Sequence, residues 1–285
     1  MKKIFAAVIA LMMTLSASAQ FYIYFSDGEI RPVDSISMIA PVQGALKGTF
    51  SVSETTQIRF SRGNLQYKAS TNTWRFAENQ YDIIGATNTN VSSTYNGWID
   101  FYGWGTGSNP TLSPQLFEEV ANFTDWGVNP ISNGGNEANQ WRTLTDDEWV
   151  YLINTRDDAS SKYGVASVNG INGLVLLPDN WTLPTGCSFN SGKAANNGSQ
   201  NFATKNSYTL AQWQKMESAG AVFLPAAGWR DKDKTVSEVG QTGYYWSSTP
   251  NGESFAFRLV FNAYLLNTHD LHGDRRRCIS VRLVR

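Results

Sequence analysis

Near the carboxyl end, between Asn262 and Ile279, runs AYLLNTHDLHGDRRRC, the part of the chain richest in side chains able to do chemistry. It holds both histidines of the protein, two aspartates, three consecutive arginines and one of two cysteines. Arg275, Arg276 and Arg277 supply planar donors suited to carboxylate or phosphate groups. Tyr264 and His269 offer rings for stacking, and Leu265, Leu266 and Leu271 offer apolar contact. Such a mixture suits a protein or glycan surface better than one small metabolite. The candidate ligand-binding residues are therefore Tyr264, Leu265, Asn267, His269, Asp270, Leu271, His272, Asp274, Arg275 and Arg277. The plainer alternative makes the leucines core and the arginines a solvated face. His269, Asp270, His272 and Asp274 also have the chemistry of zinc ligands, His-x-x-His being a recurrent spacing. No partner histidine exists elsewhere in the chain, so the reading carries neither metal nor cofactor. No set of nucleophile, base and orienting group is legible, and an enzyme is not expected.

The flanking residues must position this segment. Phe255, Phe257, Leu259 and Phe261 fall on one parity, as do Ile279, Val281 and Leu283. Alternation of that kind places one face of a strand on a core. Two strands would then clamp an aperiodic loop, residues 263–278, and a rigid sheet that displays a polar loop is a common way to build a binding surface. Replacing Tyr264, His269, Asp270, His272 and Asp274 together is expected to leave folding nearly intact, because exposed loop side chains contribute little. Trp246, in the run GYYWSST, is expected to be a core ring.

At the other end, Lys2 and Lys3 precede an apolar run from Ile4 to Leu15, and Ala17-Ser18-Ala19 has the small-x-small cleavage pattern. Residues 1–19 read as a signal peptide. The run is too short to span a bilayer and no second candidate follows, so no transmembrane segment is expected. The mature chain starts at Gln20 on this reading and is exported to the periplasm or cell surface. Removing Lys2 and Lys3 from 23 basic residues leaves 21 against 24 acidic ones. That balance argues against a general nucleic-acid binder. Cys187 and Cys278 can pair in an exported protein. Two cysteines in a chain this long define no disulfide framework, and free thiols are the favoured alternative.

Residues 20–43 read as a hairpin about a Ser-Asp-Gly turn, too short for a core of its own. The main domain is expected over 44–285. Gln57–Ser61, Asn64–Lys68 and Thr73–Ala77 look like successive strands separated by turns. GWIDFYGWGTG, residues 97–107, sets glycines beside large rings. Trp98 and Trp104 there are read as core, with an aromatic sugar platform as the alternative. Two helices stand out. Thr145 and Glu148 form a capping box ahead of Trp149, Leu152 and Ile153. Asp146, Asp147 and Glu148 cluster there, but negative charge in a first helical turn is favoured by the backbone dipole and needs no catalytic role. Thr209 and Gln212 cap the second helix, Trp213 and Met216 face inward, and Gly220 ends it. Leu174–Leu177 reads as a short buried strand, and 190–206 as a long loop.

WRTLTDDEWVYLINTR, VFLPAAGWR, GYYWSST and SVRLVR, with GNLQY, TWRFAENQYD and GWIDFYGWGT, resemble the exported Bacteroidetes family known as the major paralogous domain. Asp34-Ser35-Ile36 is similar to the signature that ends the leader hairpin of exported proteins from the same group. The resemblance covers about residues 45–285. It implies an α+β, C-type-lectin-like fold shared with formylglycine-generating enzymes: two helices flanking a small twisted antiparallel sheet, loop-rich, with the chain ends meeting. Those enzymes use a reactive cysteine pair whose motif Cys187 and Cys278 do not match.

The insert also resembles the variable regions made by diversity-generating retroelements. These rewrite adenines, and an asparagine codon randomised at its first two bases never yields Lys, Glu, Gln, Met or Trp. None of the five occurs from Ser254 to Arg285. An accidental composition is the alternative. The function expected is a noncatalytic, exported protein that binds a macromolecular ligand through a variable loop at 263–278. The alternatives are a structural or adhesin subunit of the envelope and, further off, a formylglycine-generating-like enzyme.

Overall fold

The computed structural model describes residues 22–24, 30–32, 43–89, 91–194 and 201–285. The chain divides into two compact units, Met1–Ala40 and Pro41–Arg285. In the first, β1 (Tyr22–Tyr24) pairs antiparallel with β2 (Ile30–Pro32), in register Ile23 with Arg31. This accords with the hairpin expected from the sequence. The signal-peptide residues and Asp34-Ser35-Ile36 lie outside the described residues.

The second unit is mostly β. It begins with the pairs β3 (Phe50–Ser51) with β4 (Gln57–Ile58) and β5 (Leu65–Lys68) with β6 (Thr73–Phe76). After a long connection comes α1 (Asp146–Val150), then β7 (Tyr163–Val168), β8 (Ile171–Leu176), β9 (Ser207–Tyr208), α2 (Leu210–Ser218) and β10 (Val222–Pro225). A small pair, β11 (Trp229–Arg230) and β12 (Val236–Ser237), precedes the strands β13 (Gly243–Asn251), β14 (Phe255–Phe261) and β15 (Leu266–Asp274).

Among the described residues of this unit, these 13 strands form five small sheets, and only two α-helices accompany them. The α+β arrangement of two helices flanking one small sheet, expected from the C-type-lectin-like resemblance, is therefore corrected. Both capping boxes form as expected, with Thr145 and Thr209 each accepting from the backbone three residues on. But α1 gives way after five residues to a π turn, Tyr151–Thr155, so it cannot serve as a flanking layer. Segments without an obvious period supply strands instead. Asn169 and Gly170, at φ 50° and 82°, make the tight turn that joins β7 to β8, because these two residues tolerate left-handed backbone.

The four-stranded sheet, in order β10-β8-β7-β9, is buried on both faces. Val165, Leu174, Leu176, Val222 and Leu224 pack with Trp149, Leu152 and Ile153. Their neighbours of opposite parity, Ala166, Val168, Val175 and Phe223, pack with Trp213 and Met216 of α2. A second core is aromatic: Trp74, Tyr102, Trp104, Trp126 and Trp246 are all nearly or fully buried. The expected core roles of Trp104 and Trp246 hold, and each indole N–H donates to a carbonyl, Ser247 at 3.0 Å and Tyr102 at 2.8 Å. Trp98 is half-buried, with the Arg75 guanidinium 3.8 Å above its ring.

The C-terminal run joins the two cores. Ile279, Val281 and Leu283 are fully buried, but so are Ser280 and Val284, and Arg282 nearly so. It is a central thread, not the one-faced strand that its alternation predicts. Val281 accepts from Leu65 N, Leu283 from Ser61 N, and Arg285 exchanges two hydrogen bonds with Arg59. Val284 does the same with Arg142. The C-terminus of this unit is thereby tied to residues 59–65 and to Arg142.

Two charges sit at full depth beside this thread. Arg282 donates to Gln80 Oε1 at 2.8 Å and to Asn64 Oδ1 at 3.4 Å, and burial pulls its guanidinium down to about 10. Asp100 accepts from Ile84 N and from the Asn88 amide. Burial nevertheless pushes its carboxyl up to about 6, against those hydrogen bonds and the charge of Arg230. A carboxyl raised above its unfolded value near ~3.9 contributes stability that is full below ~pH 4 and lost as pH rises through ~6. Asp100→Asn is expected to abolish this component. The difference in unfolding free energy, wild type minus variant, should fall by about 2 kcal/mol between pH 4 and 7 in denaturant titrations.

Among the described residues no helix is long and apolar enough to cross a membrane.

Candidate functional site

The segment read as a loop between two strands is itself largely a strand. β15 pairs antiparallel with β14 in the sheet β13-β14-β15, where it forms an edge. The register runs Phe261 with Leu266, Val260 with Asn267, Arg258 with Asp270 and Ala256 with Gly273. It shifts twice, between Val260 and Arg258 and between Arg258 and Ala256. Each shift inserts an extra β15 residue, which breaks the strict alternation of the segment and explains why its sequence shows no period. Gly273 is needed for a close approach: a Cβ there would lie 2.3 Å from the Ala256 carbonyl oxygen and 2.8 Å from Trp246.

A turn leads into the strand. Asn262 Oδ1 accepts from Tyr264 N and Leu265 N, and Tyr264 packs half-buried on the first core while Leu265 is exposed. Asn267 is half-buried and accepts from His269 N. Thr268 turns inward and accepts from Asn154 at 2.8 Å. His269 is exposed, yet held on two sides. Its ring lies 4.5 Å from that of Phe257, and Nδ1 bonds the Asp146 carboxylate.

Asp146, the first residue of α1, is 3% exposed and keeps one carboxylate oxygen without a partner. Burial pushes its carboxyl up, and the hydrogen bond and charge of His269 pull the other way. Helix-end electrostatics explain Glu148, whose carboxylate caps Thr145 and forks onto Arg142 at 2.6 Å on both oxygens. They do not explain Asp146. Nothing in the local sequence links it to His269, 123 residues away, and sequence reasoning missed it for that reason.

Further along, Asp270 accepts from Arg258 at 2.7 Å, and the Arg258 guanidinium lies 4.7 Å from the Tyr244 ring. Both partners are largely buried, at 8% and 13% side-chain exposure. Leu271 and His272 are exposed, the latter with Nδ1 3.4 Å from Asp270 Oδ1. Burial pushes the Asp274 carboxyl up, but hydrogen bonds and charge from Arg276 outweigh it and hold it below the usual range.

The three arginines each lie on a ring: Arg275 on Trp104 at 4.1 Å, Arg276 on Phe117 at 4.1 Å and Arg277 on Trp229 at 4.2 Å. Arg275 is also buried, donating to the carbonyls of Phe255, Gly252, Val120 and Ala121. Its reading as a ligand donor is corrected, since its N–H groups are spent on backbone.

The expected core parity of β14 is corrected too. Phe255 is 39% exposed and Phe257 half-buried, while Ala256, Arg258 and Val260 are buried with Leu259 and Phe261. The candidates thus separate into outward groups, Leu265, His269, Leu271 and His272, and anchored ones, Asp270, Asp274 and Arg275. Cys187 and Cys278 are both free. Among the described residues no three His, Cys, Asp or Glu side chains gather to hold a metal. The histidines of the HDLHGD run lean instead on different carboxylates. What the arrangement offers is a stiff strand that presents two imidazoles and two leucines to solvent.

Asp270 is not the tolerant loop residue expected. Asp270→Ala leaves a buried guanidinium without its carboxylate and is expected to destabilise by about 3 kcal/mol. Arg258→Leu in the same background should recover most of the loss. Denaturant midpoints of the two single variants and the double variant measure this.

An edge-strand site carried by a mostly β frame is the class of structure that results. A family described as a domain of unknown function, DUF8237, matches residues 196–284, or 89 of the chain's 285. The matched stretch runs from just before β9 through β15 to the C-terminal thread. No curated protein and no solved structure matches the chain.

Proposed function

We propose that the protein is an exported, noncatalytic binding protein whose recognition surface lies along β15 and the turn before it. One observation carries this reading. Leu265 in the turn and His269, Leu271 and His272 on the strand project to solvent, while neighbouring strand side chains are anchored by Asn154, Arg258 and Arg276. Contacts made by a floppy segment lose free energy to ordering, so a surface already held in place binds more tightly for the same contacts. The mixture of aliphatic and imidazole groups fits a macromolecular surface, protein or glycan. The leader-like residues at the N-terminus support export, and the outward groups need no metal to be presented.

The test is a variant carrying Leu265→Ser, His269→Ala, Leu271→Ser and His272→Ala. Exposed substitutions of this kind contribute within about 0.5 kcal/mol each, although His269 also releases Asp146. The variant is expected to unfold cooperatively, with a midpoint lowered mainly by the loss of His269 from the buried Asp146 carboxylate. In a screen of surface proteins and glycans it should lose any ligand that the wild-type protein retains by at least about tenfold in affinity. Equal binding by both proteins would remove the surface from this strand.

A further inference from the structure

At the far end of the β13–β14 hairpin lies an open groove of about 680 Å³, lined by Trp104, Phe117, Phe123, Arg275, Glu118 and Glu253 among others. Its volume falls in the range of ligand sites, ~300–1,000 Å³. Its walls are aromatic, and its charge is one-sided. Arg275, the cation in the lining, has its guanidinium N–H groups taken by four backbone carbonyls and its face against Trp104. Glu119, beside the groove in sequence, is spent as well, since its Oε2 accepts from Gln115 N and Leu116 N. Glu118 and Glu253 are different. Both are exposed, and neither has a hydrogen bond or ion pair among the described residues.

We infer that this groove docks a lysine- or arginine-bearing segment of a partner protein. Two unpaired carboxylates, with no free cation among the described lining residues, favour a positive occupant. Phe117 already receives the Arg276 guanidinium at 4.1 Å, and the negative face of an aromatic ring attracts cations in general. Long basic side chains also carry aliphatic stems that cover apolar walls while the charged head reaches a carboxylate. A protein partner is favoured over a free amine because the apolar surface continues past the groove. Leu116, 62% exposed, adjoins Phe117, and Phe255, 39% exposed, adjoins Ser254 of the lining. Contiguous apolar surface of this kind marks protein interaction sites. The inference does not rest on the β15 surface, since none of the four outward residues proposed there lines the groove.

The experiment measures binding of short synthetic peptides that carry arginines or lysines between leucines. Their controls carry citrulline or glutamate in place of the basic residue. The basic peptides should bind at least about tenfold more tightly than the citrulline ones and weaken as salt rises from ~0.1 to ~0.5 M. Glu118→Gln with Glu253→Gln should bring affinity to the citrulline level without moving the thermal midpoint, and the β15 surface variant should bind the basic peptides as the wild type does. Unchanged affinity in the Glu118/Glu253 variant, preference for the glutamate peptides, loss of binding in the β15 variant, or no binding by any basic peptide would each overturn the assignment.

Discussion

Buried guanidinium groups are the constraint on which the rest of the structure depends. Arg156, Arg230, Arg258, Arg275 and Arg282 are all 7% exposed or less. Placing an ion in a protein interior costs several kcal/mol unless its donors are satisfied, so the surrounding backbone must be where these donors need it. Arg156 and Arg258 have carboxylate partners. Arg230, Arg275 and Arg282 are met by carbonyl and amide oxygens instead, while the Nε groups of Arg156, Arg230 and Arg282 keep no partner among the described residues. Arg282 shows how far this reaches. Its partner Gln80 also accepts from Phe223 N in β10 and donates to Glu217 of α2. Its other partner, Asn64, donates to the Tyr245 hydroxyl, which donates in turn to the Pro225 carbonyl. One side chain thereby ties the C-terminal thread to the first strands, the four-stranded sheet, α2 and β13.

The candidate site inherits its rigidity from this framework. β15 is an edge strand, and an exposed straight edge invites unwanted pairing. Its two bulges and its charged side chains are features that discourage such pairing. The same bulges shift which residues face outward. They turn Thr268 to Asn154 and Asp270 to Arg258 while Leu265, His269, Leu271 and His272 remain in solvent. At the distal end Arg275 closes the hairpin against Gly252 and Phe255 and also floors the adjoining groove. Both surfaces therefore depend on arginines whose N–H groups are already engaged within the protein.

Much of the local structure was legible in the sequence. Thr145 with Glu148 and Thr209 with Gln212 announced two helix starts, and the burial of Trp213, Met216, Trp246 and Ile279 followed from pattern and residue type. Local rules could not give helix length, because the π turn after Val150 is set by packing of Leu152 and Ile153 into the core. Asn169-Gly170 carried a hairpin signal, yet β7 and β8 were not predicted as a pair because sheet faces buried on both sides lose their alternation. In the C-terminal segment the bulges hid the strand, and the arginines looked free to bind a ligand because a guanidinium stacked on a ring has the same sequence as one open to solvent. The His269–Asp146 pair needed the fold itself, since its members lie 123 residues apart in the chain.

Native-state hydrogen exchange tests the central claim most directly, because it reports the free energy needed to expose each amide. The account predicts that the amides of Leu65, Arg142, Cys278, Ile279 and Val284, which bond to or within the C-terminal thread, exchange only through global unfolding. The β14-facing amides between Leu266 and Asp274 should be strongly protected as well, before any ligand is present. Exchange of that β15 segment at the rate of an unstructured chain, with the thread still protected, would contradict the account. The recognition residues would then sit on a loop that orders only on binding.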